Sequence, residues 1–259
     1  MKPSILAAIF QFPVNQGDLV QNLNIIYHGL KHQKADLIVL PELSTTGYFL
    51  NKVQWTHFSD PNSWVDAIDF FTELAKVCSS HLCITLPKMI HQKLYNIGYL
   101  INEKGIVGAQ AKIHITDDER RFFSANPVKR IEAIQTDFGK IGILSCFDLW
   151  DSALLRQVKA EEMDLICSPC SFGSDMTPFI AKSRSLEFST PLVLCNRTGT
   201  EIFENELVEF VGMSSIWDAD GNVLAQAQSE EIFLSAELLL PNKSALPFCQ
   251  ELALEMNWN

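Results

Sequence analysis

Asp36-Leu37-Ile38-Val39-Leu40-Pro41-Glu42 holds four consecutive apolar residues, stopped by a proline and followed by a carboxylate. A short, uninterrupted apolar run of this kind reads as a strand buried on both faces, in a sheet covered by helices. The reading extends outward in both directions. Residues 5–10 form a second such run. Between the two, Asp18 is placed to cap a helix carrying Leu19, Leu23, Ile26 and Leu30 on one side. Downstream, Trp64, Ile68, Phe71 and Leu74 mark a helix over about 63–77, and 82–86 is a third strand. This βαβαβ opening sets the α/β class.

The middle of the chain changes character. Residues 95–101 and 106–109 flank the turn Asn102-Glu103-Lys104-Gly105, and 131–136 and 141–145 flank Asp137-Phe138-Gly139-Lys140, so each pair predicts a hairpin. A helix near 152–159, a strand at 165–168, a helix near 178–189 and a strand at 192–195 follow. The end is rich in strands, at 208–217, 223–227 and 232–237. Crossovers and hairpins together predict mixed sheets with helices on their outer faces. No repeat, low-complexity tract or linker interrupts the pattern, so 1–259 reads as a single domain. Residues 238–259 form a C-terminal extension whose Leu246, Phe248, Leu252 and Leu254 would dock on the body or on a second subunit.

With 259 residues, 47% hydrophobic and 20% charged, the chain buries a sizeable core, which excludes disordered and disulfide-scaffold classes. Twenty Lys and Arg against 31 Asp and Glu leave a net charge of −11, with no electrostatic footprint for nucleic acid or an anionic membrane. The apolar run at 5–10 is too short to span a bilayer, and no cleavage pattern follows it; the expected location is cytoplasmic. Seven cysteines then read as free thiols, most of them small buried hydrophobes and one of them a possible nucleophile.

Three segments carry chemistry. Glu42 lies just past the C-terminal end of a buried strand, the edge where ligands bind in open α/β sheets; alone, it reads sooner as a loop glutamate that makes a hydrogen bond or faces water. Lys112, in Ala111-Lys112-Ile113-His114, follows the middle hairpin and by itself reads as a surface lysine, with His114 a structural histidine bonded to backbone. Cys146, in Gly142-Ile143-Leu144-Ser145-Cys146-Phe147-Asp148, ends an apolar strand where a helix begins. There, amide groups and a nearby cation favour the thiolate, and the amides just beyond the cysteine can receive an oxyanion. Without the other two segments it reads as a buried inert thiol. Cys167 and Cys170 have Cys-x-x-Cys spacing, but one such pair is poor support for zinc, and a strand end is the wrong place for a redox pair.

Taken in order, Pro41-Glu42-Leu43 with Gly47-Tyr48, Lys112-Ile113-His114 and Cys146-Phe147-Asp148 resemble the nitrilase superfamily, the carbon–nitrogen hydrolases. Tyr95-Asn96, Glu119, Arg184-Ser185-Leu186-Glu187, Asn196-Arg197-Thr198-Gly199 and Gly212-Met213-Ser214-Ser215 agree with it, and the likeness spans about 4–237. The resemblance implies a four-layer αββα sandwich of two mixed sheets, and pairing into a homodimer or higher homo-oligomer. It also implies a hydrolase, of amidase type, acting on a small-molecule amide. Cys146 would be its nucleophile, Glu42 its base, Lys112 its cationic stabiliser and Glu119 a supporting carboxylate. Such chemistry needs no metal or organic cofactor. Tyr48, Phe147, Trp150, Cys170 and Phe172 are the residues expected to line the substrate site. A noncatalytic amide binder of the same fold, a nitrilase and a carbamoyl hydrolase are the competing readings. Phe147-Asp148 in place of the Trp-Glu common in nitrilases favours the amidase.

Two departures matter. Many relatives read Cys-Tyr-Asp-x-Arg, and in some the arginine pairs with a substrate carboxylate. Trp150 stands there instead and cannot make that pair, which predicts a neutral or apolar amide. Asn126 replaces a family glycine, and its tolerance of left-handed backbone would preserve the turn.

Overall fold

The structure, a computed structural model, describes residues 4–154, 157, 158 and 161–240. The three apolar runs of the N-terminal third become β1 (Ser4–Gln11), β2 (Leu37–Val39) and β3 (His81–Ile90). They pair in parallel, β1 with β2 and β2 with β3. The crossovers carry α1 (Leu19–Leu30), α2 (Lys52–Phe58) and α3 (Pro61–Cys78). Asp18 caps α1 by accepting the Gln21 amide N–H at 3.0 Å. Helix α3 starts two residues before the expected point because Asp60 caps it and Pro61 opens it, a combination suited to a first turn. Helix α2 lacks a long apolar face and was not expected; an Asn51–Gln54 capping box starts it.

The sheet continues antiparallel through β4 (Lys93–Asn102) and β5 (Gly105–Ala111), and β14 (Ile232–Leu239) closes its other edge against β1. Strand β3 is longer than expected and contains Pro87. That proline is tolerated because β2 pairs only with His81–Cys83, so at Pro87 no β2 residue stands alongside.

A second six-stranded sheet has the order β13-β12-β9-β8-β7-β6. Its strands are β6 (Ile134–Thr136), β7 (Gly139–Ile143), β8 (Leu165–Pro169), β9 (Leu192–Cys195), β12 (Ser215–Trp217) and β13 (Val223–Gln226). The expected strand over 208–217 is in fact two. β11 (Glu206–Val211) pairs with β10 (Thr198–Phe203) in a separate hairpin. Gly212 and Met213, both at positive φ, then turn the chain into β12. The helix expected near 178–189 is α4 (Met176–Phe188). The helix expected near 152–159 and the C-terminal extension beyond residue 240 fall partly or wholly outside the described residues.

The two sheets face each other across a core of Ile9, Val39, Leu100, Ile143, Leu165 and Val193. Helices α1 and α3 pack on the outer face of the first sheet. The turn after β7 and helix α4 pack on the outer face of the second. These are the four layers that the resemblance implied. The C-terminal ends of β2, β5 and β7 open on the same region.

Candidate active site

Each of these strand ends presents one reactive side chain. Beyond β2, Glu42 donates its backbone N–H to the Cys170 carbonyl at 3.1 Å, and Leu43, at φ +49°, donates to Thr85 Oγ1 at 2.6 Å. Beyond β5, the Lys112 N–H is held by the Asn96 carbonyl and its own carbonyl receives the Asn126 N–H, both at 2.9 Å. Beyond β7, Cys146 opens a 3-10 turn, Cys146–Trp150, with φ at +49°. Left-handed backbone is costly for a residue with a Cβ, and its occurrence here marks a sharp strand-to-helix corner held by its surroundings.

The structure brings Glu42, Lys112 and Glu119 into direct contact. Lys112 Nζ lies 2.7 Å from Glu42 Oε1 and 2.8 Å from Glu119 Oε1, and all three side chains are buried. Glu119 Oε2 accepts the Thr116 N–H at 2.8 Å. Glu42 Oε1 also accepts from Asn96 Nδ2 at 2.7 Å, whereas Glu42 Oε2 is buried without a hydrogen-bond partner. Burial pushes the Glu42 carboxyl up and Lys112 pulls it back, leaving it at about 7, where a general base is most useful. Burial alone would discharge Lys112, but Glu119 and Glu42 outweigh it and hold the ammonium above its ordinary range.

The Cys146 side chain is 9% exposed and close enough to Glu42 for each to affect the other's ionisation. Here the sequence expectation is corrected. The thiol is raised well above its ordinary value rather than lowered, because the neighbouring Cys170 thiol, burial and the Glu42 charge outweigh Lys112. A neutral thiol with the Glu42 carboxyl beside it is an arrangement in which the carboxylate can take the thiol proton.

Asp148 ties the corner to the lysine segment. Its Oδ1 accepts from the Ile113 and His114 amides at 3.1 and 2.6 Å, and its Oδ2 from Ser145 at 3.2 Å. Burial lifts its carboxyl to about 7. The Asp148 bond to the Ser145 N–H is one half of a capping box and is legible as Ser-x-x-Asp before a short helix; the tie to Ile113 and His114 is not. A second link joins the loop after Glu42 to the β10–β11 hairpin. Glu201 accepts the Tyr48 N–H at 2.9 and 3.0 Å and the Phe49 N–H at 2.7 Å, while Arg197 pairs with it in full burial. No spacing in the sequence announces that clamp.

The expected lining residues are dispersed. The Tyr48 ring centroid is 5.9 Å from Lys112 Nζ. Cys170 and Phe172 are buried in the same cluster as Cys146. Tyr48 also borders a small recess with Glu119, Phe49, Phe122, Phe123 and Phe203. Phe147 and Trp150 are instead exposed, their rings 6.4 Å apart on the turn surface.

Cys167 faces the core between the sheets, whereas Cys170 belongs to the cluster outside the second sheet, so the Cys-x-x-Cys spacing brings no pair together. His114 offers its backbone to Asp148, but its Nε2 meets Asp151 Oδ2 at 2.5 Å, a carboxylate where backbone was expected. Asn126 does not adopt positive φ; Lys129 does so three residues later.

The sequence profile of the family described as carbon-nitrogen hydrolase matches residues 6–242. Over 228 residues the chain is 30% identical to the 2-oxoglutaramate amidase of Paenarthrobacter nicotinovorans, spanning 79% of this chain and 72% of that protein. Over 200 residues it is 26% identical to the nitrilase of Pyrococcus abyssi, spanning 77% and 74%. Among solved structures, an amidase from Nesterenkonia sp. superposes with a TM-score of 0.81 over 98% of this chain and 96% of that one. At 20% identity, that likeness concerns the fold.

Proposed function

The chain belongs to the carbon–nitrogen hydrolase family, and from that premise we propose that it is an amidase that releases ammonia from a small amide through a thioester on Cys146. Glu42 takes the thiol proton as sulfur bonds to the amide carbon and the carbonyl electron pair moves to oxygen. Lys112 and the Phe147 N–H, which lies in the first turn of the 3-10 helix without a partner inside it, receive that oxyanion. Collapse breaks the C–N bond, and the proton on Glu42 leaves with the nitrogen as ammonia. Water then attacks the thioester while Glu42 takes its proton. The acid departs and the sulfur is reprotonated. Glu119 keeps Lys112 in place and charged throughout.

The observation that supports this reading most is the split use of the Glu42 carboxylate. One oxygen is occupied by Lys112 and Asn96, and the other is buried without a hydrogen-bond partner, on a carboxyl close enough to the Cys146 thiol for the two to affect each other's ionisation. A noncatalytic binder has no need of such an acceptor. The test is ammonia release from a panel of short primary amides by wild type and Cys146→Ala, with nitriles and carbamoyl compounds in parallel. Turnover of amides by wild type alone supports the proposal. Equal release by both proteins points to the binder, and a preference for nitriles or carbamoyl compounds to the other activities of the family.

Trp150 leads to a finer statement, that the preferred amide is neutral. 2-Oxoglutaramate carries a carboxylate; Arg121 is engaged by Glu204 and Asp118, Arg197 by Glu201, and Arg184 by Glu187 and the Leu149 and Trp150 carbonyls. Neutral amides should outpace 2-oxoglutaramate, and Trp150→Arg should narrow the gap. Comparable rates in wild type would refute it. We also read the protein as a homo-oligomer, which sedimentation would settle. Among the described residues, no helix is long and apolar enough to cross a membrane.

A further inference from the structure

We infer that Asn96 is a positioning residue that decides which oxygen of Glu42 receives the Cys146 proton; the inference rests on the catalytic reading above. Asn96 lies on β4 with 1% exposure, opposite Pro87 of β3. Its backbone carbonyl turns the other way, to the Lys112 N–H at 2.9 Å, so one residue fixes the root of the lysine and, through its side chain, the tip of the glutamate.

Asn96 Nδ2 and Lys112 Nζ reach the same oxygen, Glu42 Oε1, each at 2.7 Å. The two donors differ in what they fix. A lysine ammonium is a compact charge on a flexible stem and tolerates many carboxylate orientations. The terminal torsion of a glutamate is broad, so a lysine alone leaves its carboxylate free to turn. Asn96, on a shorter side chain rooted in a buried strand, adds a second donor to Oε1 from a fixed direction and narrows that freedom; its own Oδ1 is buried without a partner. The opposite amide orientation would set two acceptors face to face. With Oε1 saturated, Oε2 is the one oxygen left without a donor, and it is the better proton acceptor. Donation to the ionised form also stabilises the carboxylate, which keeps its protonation from climbing further into the working pH range.

The experiment needs no natural substrate. Iodoacetamide alkylates Cys146: sulfur bonds to the methylene carbon, iodide leaves, and the thiol proton passes to Glu42 and on to solvent. Intact-mass measurement of the rate against pH reads the base directly. In wild type the rate should fall on the acid side as Glu42 protonates, and Glu42→Gln should abolish that limb. Asn96→Leu, close in shape but without a donor, should move the limb upward by about one pH unit, the tenfold change expected for a lost hydrogen bond to a charged group. Asn96→Ser, which restores a donor, should bring it part of the way back. An unmoved limb in a folded Asn96→Leu protein, or equal movement in the serine and leucine variants, overturns the inference. Should the leucine variant fail to fold, Asn96→Asp against Asn96→Ser gives the same contrast, since an acceptor there must raise the limb further; identical limbs in that pair overturn it too. Retained amide turnover by Glu42→Gln or Cys146→Ala would instead count against the catalytic reading itself.

Discussion

Lys112→Met tests the charge balance of the site. In the wild-type protein a single ammonium serves two carboxylates at 2.7 and 2.8 Å, and none of the three groups reaches solvent. Methionine keeps the length and apolar stem of lysine but leaves Glu42 and Glu119 facing each other without a counter-ion. Breaking a buried ion pair by removing one partner costs about 3–5 kcal/mol. For a chain of this size that corresponds to a fall in Tm on the order of 10 °C. The sign of its pH dependence follows from Glu42. Without the lysine, its folded-state value, already raised by burial, rises further above the unfolded one. The neutral form is then accommodated near pH 5, and the penalty for ionising it grows as pH rises toward that raised value. The loss should therefore be larger at pH 8 than at pH 5, and Lys112→Met with Glu119→Gln should recover part of it by deleting one charge. Urea denaturation at the two pH values measures this, and ammonia release measures a loss of turnover of about 10²–10³ for the missing oxyanion partner. A stability loss under about 1 kcal/mol, or one equal at both pH values, would refute the assignment of Lys112 as the counter-ion of both carboxylates.

Three further outcomes follow from the same geometry. Cys146→Gly should be more stable than Cys146→Ala by about 1 kcal/mol, because glycine accepts the +49° φ without strain; both should lose turnover by on the order of 10⁴-fold or more, and parallel thermal melts and rate assays compare them. Amide kcat/KM should decline as pH falls through about 7, the range to which burial raises Glu42, and Glu42→Gln should lose both that limb and about 10²–10⁴ of the rate. Gly47 has φ +83°, and a Cβ there would meet Glu201 Oε1 at 2.8 Å, so Gly47→Ala should destabilise by about 1–3 kcal/mol in thermal melts; an unchanged Tm would show that the Glu201 clamp yields freely.

Much of this was legible in the chain because the strands of a covered sheet announce themselves as unbroken apolar runs. Residues 5–10, 36–40 and 82–86 needed only that signal, and with them came the strand end that presents Glu42. Cys146 was legible for a related reason: a strand and a short helix meet there with only Leu144 and Ser145 between them. What escaped was set by contacts far apart in sequence. The split of 208–217 depends on two residues at positive φ, one of them Met213, which no propensity marks as a turn former. The direction of the Cys146 shift depends on Cys170 and Glu42 arriving beside it from other strands, so a rule based on helix ends and a nearby cation pointed the wrong way. Asn96 and Glu201 are ordinary polar residues in strands, and only the folded chain shows what their side chains hold.

The central claim is a covalent bond between Cys146 and the acyl half of an amide, made with Glu42 as the base. Intact-mass spectrometry with peptide mapping after rapid acid quench, with wild type and Glu42→Gln exposed to the amide panel, addresses it directly. The account predicts an acyl adduct on the peptide containing Cys146, with the mass of the amide less ammonia, forming in wild type and largely absent from Glu42→Gln. Ammonia release without any such adduct, or an adduct on another residue, would contradict it.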